Sequence, residues 1–306
     1  MLRAIYNRIV SSKSIIREFD FLYFFDCLFC SLMHRMGINS VRFSKSESDY
    51  RYIYRNYSKL ASNIIINNHD TSIKGDTIWA IWWQGADAVK PKLVQNCLDS
   101  INRNKGDFNF VIIDNENYSK YIDISEVVFD KFKSGTIGIA AFTDYIRFSL
   151  LEKYGGWYVD ATIFANRCFE VPVNNFYSIR LPYDCEIISK ARWSAFCWYL
   201  PPKHGLAEFF VKAFEEYWHN HDKLINYFLV DCFVRVFYTK SQFFKQQIDS
   251  LMVDCPVLFF LQSVDCQDEY NEHKWLWLKD NNRFFKCNRK VDLYKQGSYY
   301  NIILEL

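Results

Sequence analysis

Residues 143–162 read TDYIRFSLLEKYGGWYVDAT, and the stretch joins a helical pattern to a strand pattern through a double glycine. Over 140–154 the apolar residues Phe142, Ile146, Leu150 and Tyr154 recur along one side at helical spacing. Gly155-Gly156 offer the left-handed conformations that end a helix cheaply. Trp157-Tyr158-Val159 then reads as a short strand with Asp160 at its end. Upstream, TIWAIWW (77–83) is β-branched and aromatic throughout, as a strand covered on both faces should be. Leu93, Val94, Cys97, Leu98 and Ile101 follow at helical spacing, with Pro91 tolerated in the first turn. FNFVIID (108–114) is a second strand, and ISEVVFDKFKSG a further helix stopped by Gly135. The order β-α-β-α-α-β argues an α/β domain with a largely parallel sheet flanked by helices. In such sheets the ligand crevice lies beyond the carboxyl ends of the strands, where Trp82, Asp114 and Asp160 are expected to point.

The second half is plainer. WSAFCWYLPPKHG suggests strand and turn, 206–218 is an amphipathic helix, and Asp222 is offered as the N-cap of another over 223–238. That pair is expected to wall the open side of the crevice. After about residue 250 the pattern fades.

Composition narrows the class. The chain has 306 residues, 10 glycines and 6 prolines, with 37 Lys+Arg against 35 Asp+Glu. Low Gly and Pro with half the residues hydrophobic excludes disorder and collagen-like repeats, and a charge of +2 gives no reason to expect nucleic acid. Ten dispersed cysteines, behind an N-terminus without a secretory leader pattern, point to a reducing cytoplasm. Cys27-x-x-Cys30 lies in FLYFFDCLFCSLM and reads as buried thiols. That run has 13 residues and contains Asp26, too short to span a bilayer. Residues 1–60 carry ten Lys/Arg against five acids, which suits either a helix lying on an anionic membrane surface or a helical arm packed on the main domain. The expected organisation is a helical N-terminal extension over 1–70 and a catalytic-type domain over 71–306.

Asp144 and Arg147, spaced i, i+3, project from one helix face. An acceptor beside a donor of this kind can grip sugar hydroxyls, although an intrahelical ion pair has the same spacing. Asp160 at a strand end can hold a divalent cation that bridges a diphosphate. Asp114, Asp144 and Asp160 could instead share a hydrolase cleft, but no pair has a distinguishing spacing. His219-Asn220-His221 reads as solvated surface, and Asp231, i+4 from Tyr227, either faces an acceptor or pairs locally.

The segment TDYIRFSLLEKYGGWYVDAT resembles the signature of the capsular polysaccharide synthesis proteins. These are grouped with the sugar-binding-region glycosyltransferases of glycosyltransferase family 32, and are more distantly similar to the glucosylating domains of large clostridial toxins. IWAIWWQGAD, PKLVQNCLDSINRN, FNFVIIDNENYSKYIDI and KLINYFLVDCFVRVFY resemble further blocks, so the likeness runs in order over about 75–240. It implies a GT-A-type nucleotide-sugar-binding fold and transfer from a nucleotide sugar, commonly a UDP-sugar. Trp82 would stack on the base with Gln84 beside it, and Asp144 and Arg147 would hold the donor sugar. Tyr158 would lie along the ribose and diphosphate, and Asp160 would coordinate Mn²⁺ or Mg²⁺. Many relatives have Asp-x-Asp where this chain has Asp160-Ala161-Thr162, so the cation is expected to be held loosely. The implied enzyme is a retaining hexosyl- or N-acetylhexosaminyltransferase. It would act on a free or lipid-linked oligosaccharide of capsule, O-antigen or lipopolysaccharide type, in the cytoplasm or at the inner face of the cell membrane. The alternatives are a non-catalytic nucleotide-sugar or glycan-binding protein and a toxin-like transferase acting on protein.

Overall fold

A computed structural model describes residues 15–38, 40–67, 73–85, 89–183, 188–289 and 295–305. Asp20 caps α1 (Phe21–Arg35) by accepting from the Tyr23 amide at 2.6 Å. A longer helix, α2 (Lys45–Asn67), follows. The α/β body then runs β1 (Thr77–Ile81), α3 (Lys92–Arg103), β2 (Asn109–Ile113), α4 (Glu126–Lys133), α5 (Ile139–Tyr154) and β3 (Gly156–Val159). It continues through β4 (Ile163–Ala165), β5 (Tyr177–Ser178), β6 (Cys197–Leu200), α6 (Gly205–Asn220) and α7 (Leu229–Lys240). The last elements are α8 (Gln242–Asp249), α9 (Glu272–Asn281), β7 (Phe284–Lys286) and α10 (Tyr299–Glu305).

Five strands form a sheet in the order β2-β1-β3-β6-β5. β1 is parallel to both neighbours, pairing Ile78 with Phe110 and with Trp157, as the β-α-β reading requires. β6 runs antiparallel to β3, and β5 to β6, so the sheet continues past its parallel half. The double glycine makes this register possible. Gly155 has φ +63° and Gly156 φ +92°, and a Cβ on Gly156 would meet the Thr77 carbonyl oxygen at 2.2 Å. β3 can therefore enter beside β1 directly from the end of α5.

The large aromatic content fills the space between the sheet and its helices. Phe148 of α5 stacks on Phe210 of α6 at 4.1 Å, and Tyr57 of α2 meets Phe233 of α7 edge to face at 5.2 Å. Tyr52, Ile53, Tyr57 and Ala61 of α2 thus lie in the same core as α5, α6 and α7. The N-terminal helices are packed on the main body.

Four expectations change. The helix expected over 223–238 starts only at Leu229, and Phe228 precedes it without a side-chain cap. Asp222 does not cap it; its carboxylate pairs with Lys131 at 2.9 Å while residues 222–228 form a loop. His221 is buried, not solvated: its Nε2 lies 3.1 Å from the Tyr52 hydroxyl and its Nδ1 2.8 Å from the Glu18 carbonyl, locking the N-terminal segment onto α6. Of the close cysteine pair, Cys30 is buried and Cys27 only half-buried. Beyond residue 250, where the sequence pattern fades, β7 pairs antiparallel with β4 and sets Lys286 opposite Ile163.

Candidate functional site

A cleft of about 350 Å³ opens where α5, the residue after β3, the 193–196 segment, the 227–231 segment and β7 converge. α5 supplies Asp144 and Arg147, whose side chains form an ion pair at 3.0 Å. The Arg147 guanidinium also donates to the Ala195 carbonyl and lies over the Tyr158 ring, 4.2 Å from its centroid. It is thereby fixed from three sides, yet its Nε is buried with no hydrogen-bond partner among the described residues. Burial works against the charge on Arg147, and the phenol of Tyr158 with the carboxylates of Asp144 and Asp160 more than restores it. Burial pushes the Asp144 carboxyl up to about 6, against the pull of Arg147 and with a further push from Asp160.

Asp160 follows β3 and faces a partner from the far end of the chain. Lys286 Nζ donates to Asp160 Oδ1 at 2.8 Å and also to the Thr162 hydroxyl. The Thr162 amide and hydroxyl donate to the same Asp160 oxygen at 2.9 and 2.6 Å. Burial alone would raise the Asp160 pKa, but the Lys286 ammonium and the Thr162 bonds hold the carboxyl well below the usual carboxylate range. Asp231, on α7, lines the same cleft and accepts from Trp193 Nε1 at 2.8 Å. Burial pushes its carboxyl up to about 7, with the Trp193 bond opposing and Asp144 adding to the rise.

Hard divalent cations take six or more oxygen ligands, usually from several carboxylates and water. Here one carboxylate oxygen already accepts three hydrogen bonds, one of them from an ammonium ion. Among the described residues no group of three or more His, Cys, Asp or Glu side chains is placed to hold a metal ion. The residues present do not fit the Mn²⁺ or Mg²⁺ that the resemblance implies.

Asp144, Arg147, Asp160 and Asp231 are thus brought together, while four other expected residues do not line the cleft. Trp82, directly after β1, is buried against Val94, Leu98 and Ala161, with the Arg289 guanidinium 5.7 Å from its ring centroid and its own Nε1 unpartnered among the described residues. It does not line the cleft, and neither does Gln84, which is exposed in the turn that follows. Tyr158 is buried beneath Arg147 and supports it from below. Asp114 builds the turn after β2, accepting from the amides of Glu116 and Asn117 at 2.9 and 2.8 Å. The sequence reading missed Lys286 and Trp193. A lysine in the apolar run RFFKC was the available sign of the first.

A family model described as capsular polysaccharide synthesis protein matches residues 32–303. No curated protein matches the chain.

Proposed function

From a chain that belongs to the capsular polysaccharide synthesis protein family, we propose a glycosyltransferase that takes a sugar from a nucleotide sugar and adds it to a glycan acceptor. The observation that carries this reading is the cleft itself. Two carboxylate–cation pairs, Asp144–Arg147 and Asp160–Lys286, drawn from α5, the Asp160–Thr162 turn after β3, and β7, face one cavity. Sugar hydroxyls need acceptors and donors side by side, and a departing diphosphate needs fixed positive charge. The cleft offers both.

In this reading Asp144, once ionised, accepts from donor-sugar hydroxyls, and Arg147 donates to them. The acceptor hydroxyl attacks the anomeric carbon as the bond to the phosphate oxygen breaks. The bonding pair goes to that oxygen, and the acceptor proton passes to the leaving phosphate. No dedicated base is needed, and retention of configuration follows from the resemblance. Tyr227 and Phe228, both exposed in the wall before α7, give the acceptor an apolar surface to lie on.

Release of nucleoside diphosphate from a panel of UDP-sugars, with oligosaccharide acceptors, tests the proposal. Wild type should turn over at least one donor, and Asp160→Asn should lower the rate about 10²-fold or more. A wild type that binds UDP yet releases none from any donor is a binding protein, and the transferase reading fails. Turnover with a protein acceptor alone would make it a toxin-like transferase.

A further inference from the structure

We infer that Lys286 takes the place of the divalent cation, so that the nucleoside diphosphate of the donor is held by a protein ammonium and binds without metal. The inference rests on the nucleotide-sugar reading. β7 is fixed by its pairing with β4, and the Cys287 amide donates to the Thr162 carbonyl at 2.8 Å, so Lys286 is delivered to the Asp160–Thr162 turn by backbone geometry. Its side chain is 18% exposed and lines the cleft. An ammonium has three N–H donors, and Asp160 and Thr162 account for two. Threonine at position 162 matters here. A second aspartate would add a negative charge beside the phosphate oxygens, which a cation would then have to offset. With threonine, Lys286 faces a single carboxylate, and a diphosphate meets Lys286 and Arg147 together. The exposed Arg289, three residues on, adds a second cation on the same segment.

UDP and UMP binding, measured by calorimetry in EDTA and in excess Mn²⁺ or Mg²⁺, tests this. Wild type should bind UDP equally well with chelator and with metal. Lys286→Met should weaken UDP about tenfold or more and leave UMP nearly unchanged, because a lost charge-assisted bond costs about that much. Lys286→Arg should keep most of the affinity, which separates loss of charge from loss of fold. UDP binding that requires metal and survives Lys286→Met overturns the inference while leaving the nucleotide-sugar reading standing. Failure of UDP and UMP to bind under every condition removes that reading itself.

The outer face of α1 carries a second, independent inference. Phe21, Leu22, Phe25, Leu28, Phe29 and Leu32 are between 49% and 64% exposed and lie along one stripe of the helix. Tyr23 and Asp26 turn inward: the Tyr23 hydroxyl donates to Asp49 at 2.7 Å, and Asp26 is paired with Arg51 at 2.8 Å. Asp20 is likewise tied to Arg55 at 2.6 Å. Arg17, just before the helix, Arg35, its last residue, and Arg42, shortly after it, are exposed and make no ion pair among the described residues. Apolar residues outward, acids neutralised and unpaired cations near its two ends in sequence are the reverse of a solvent-facing helix. No helix among the described residues is long and apolar enough to cross a membrane. We propose that α1 lies in the interface of an anionic bilayer. Lys45 donates to the Ile225 carbonyl at 3.2 Å and Asn226 to Asp49 at 2.6 Å, so this region is tied to the loop that carries Tyr227 and Phe228 at the cleft. A lipid-carried acceptor is the chemistry such a placement serves.

Flotation of the full chain with phosphatidylglycerol-containing and with purely zwitterionic vesicles is the test. Wild type should float with the anionic vesicles only. Replacing Phe25, Leu28 and Leu32 by serine, all at exposed positions, should abolish flotation without lowering the melting temperature. A wild type that stays in the heavy fraction overturns the inference. So does a triple variant that floats as before, or one whose only change is from dimer to monomer, which would make a second copy the occupant. Binding that appears only when residues 1–14 are deleted would assign the face to that segment and equally overturn it.

Discussion

Asp231 is buried in the cleft with Trp193 as its hydrogen-bond donor, and its carboxyl is raised to about 7. An unfolded aspartate titrates near 3.9. Between about pH 4 and 7 the native state therefore holds a proton that the unfolded chain has lost, and stability falls as pH rises across that window. Asp231→Asn keeps an acceptor for the indole and removes the cost of the ionised form. It should stabilise the protein by about 2 kcal/mol at pH 8 and have little effect near pH 4, read from denaturant melts at both pH values. A variant equally destabilised at both would mean that the carboxylate is needed in its charged form. Asp160 has the opposite sign: its depressed pKa gives stability that is present above about pH 4 and lost as pH falls further. At this scale Asp144, Arg147 and Asp160 were legible because helical spacing and a strand end place a side chain without reference to anything distant. Trp82 and Tyr158 were legible as strand-end aromatics, but which side of the sheet their rings took depends on Val94, Leu98 and Arg147, and no local pattern reports that.

The β1–β3 junction is where a single element decides the register. Gly75 packs so closely on the double glycine that a Cβ there would meet the Gly156 amide nitrogen at 2.0 Å. Gly156→Ala combines a positive φ with a contact on the Thr77 carbonyl, and should cost at least about 2 kcal/mol in chemical denaturation. A neutral result would mean that β3 can shift away from β1. The helices over 92–103 and 139–154 were readable from periodicity, and the strands over 77–81, 109–113 and 156–159 from short β-branched and aromatic runs bounded by turn residues, the first and last of them buried along their whole length. The start of α7 was not. Phe228 offers no capping side chain, and the apolar run simply continues across the loop boundary. β7 was hidden for a different reason. Three residues are too few for a period, and their pairing partner lies more than a hundred positions earlier.

At the scale of the whole molecule, aromatic side chains fill a large core, and no disulfide links the described cysteines. The nine described cysteines are free thiols, and seven of them are buried. The core that contains Phe209, Phe210 and Phe233 also contains Tyr52, Ile53 and Tyr57 of α2, so the N-terminal helices are part of the folded body. A chain beginning at residue 73 would expose that surface, at about 25 cal/mol for each Å² of apolar area uncovered. It should fail to give a cooperative thermal transition, and a sharp transition at the wild-type temperature would show that the extension is dispensable. Composition alone indicated a compact protein. The route by which the C-terminal Lys286 reaches Asp160 exists only in the assembled fold.

The central claim is that the Asp144–Arg147 and Asp160–Lys286 pairs together hold a nucleotide sugar. A crystal soaked with a panel of UDP-sugars measures this most directly. The bound donor should place its sugar hydroxyls within hydrogen-bond distance of the Asp144–Arg147 pair and its diphosphate within hydrogen-bond distance of Lys286 Nζ. A nucleotide sugar bound at any other surface, with this cleft unchanged, would contradict it.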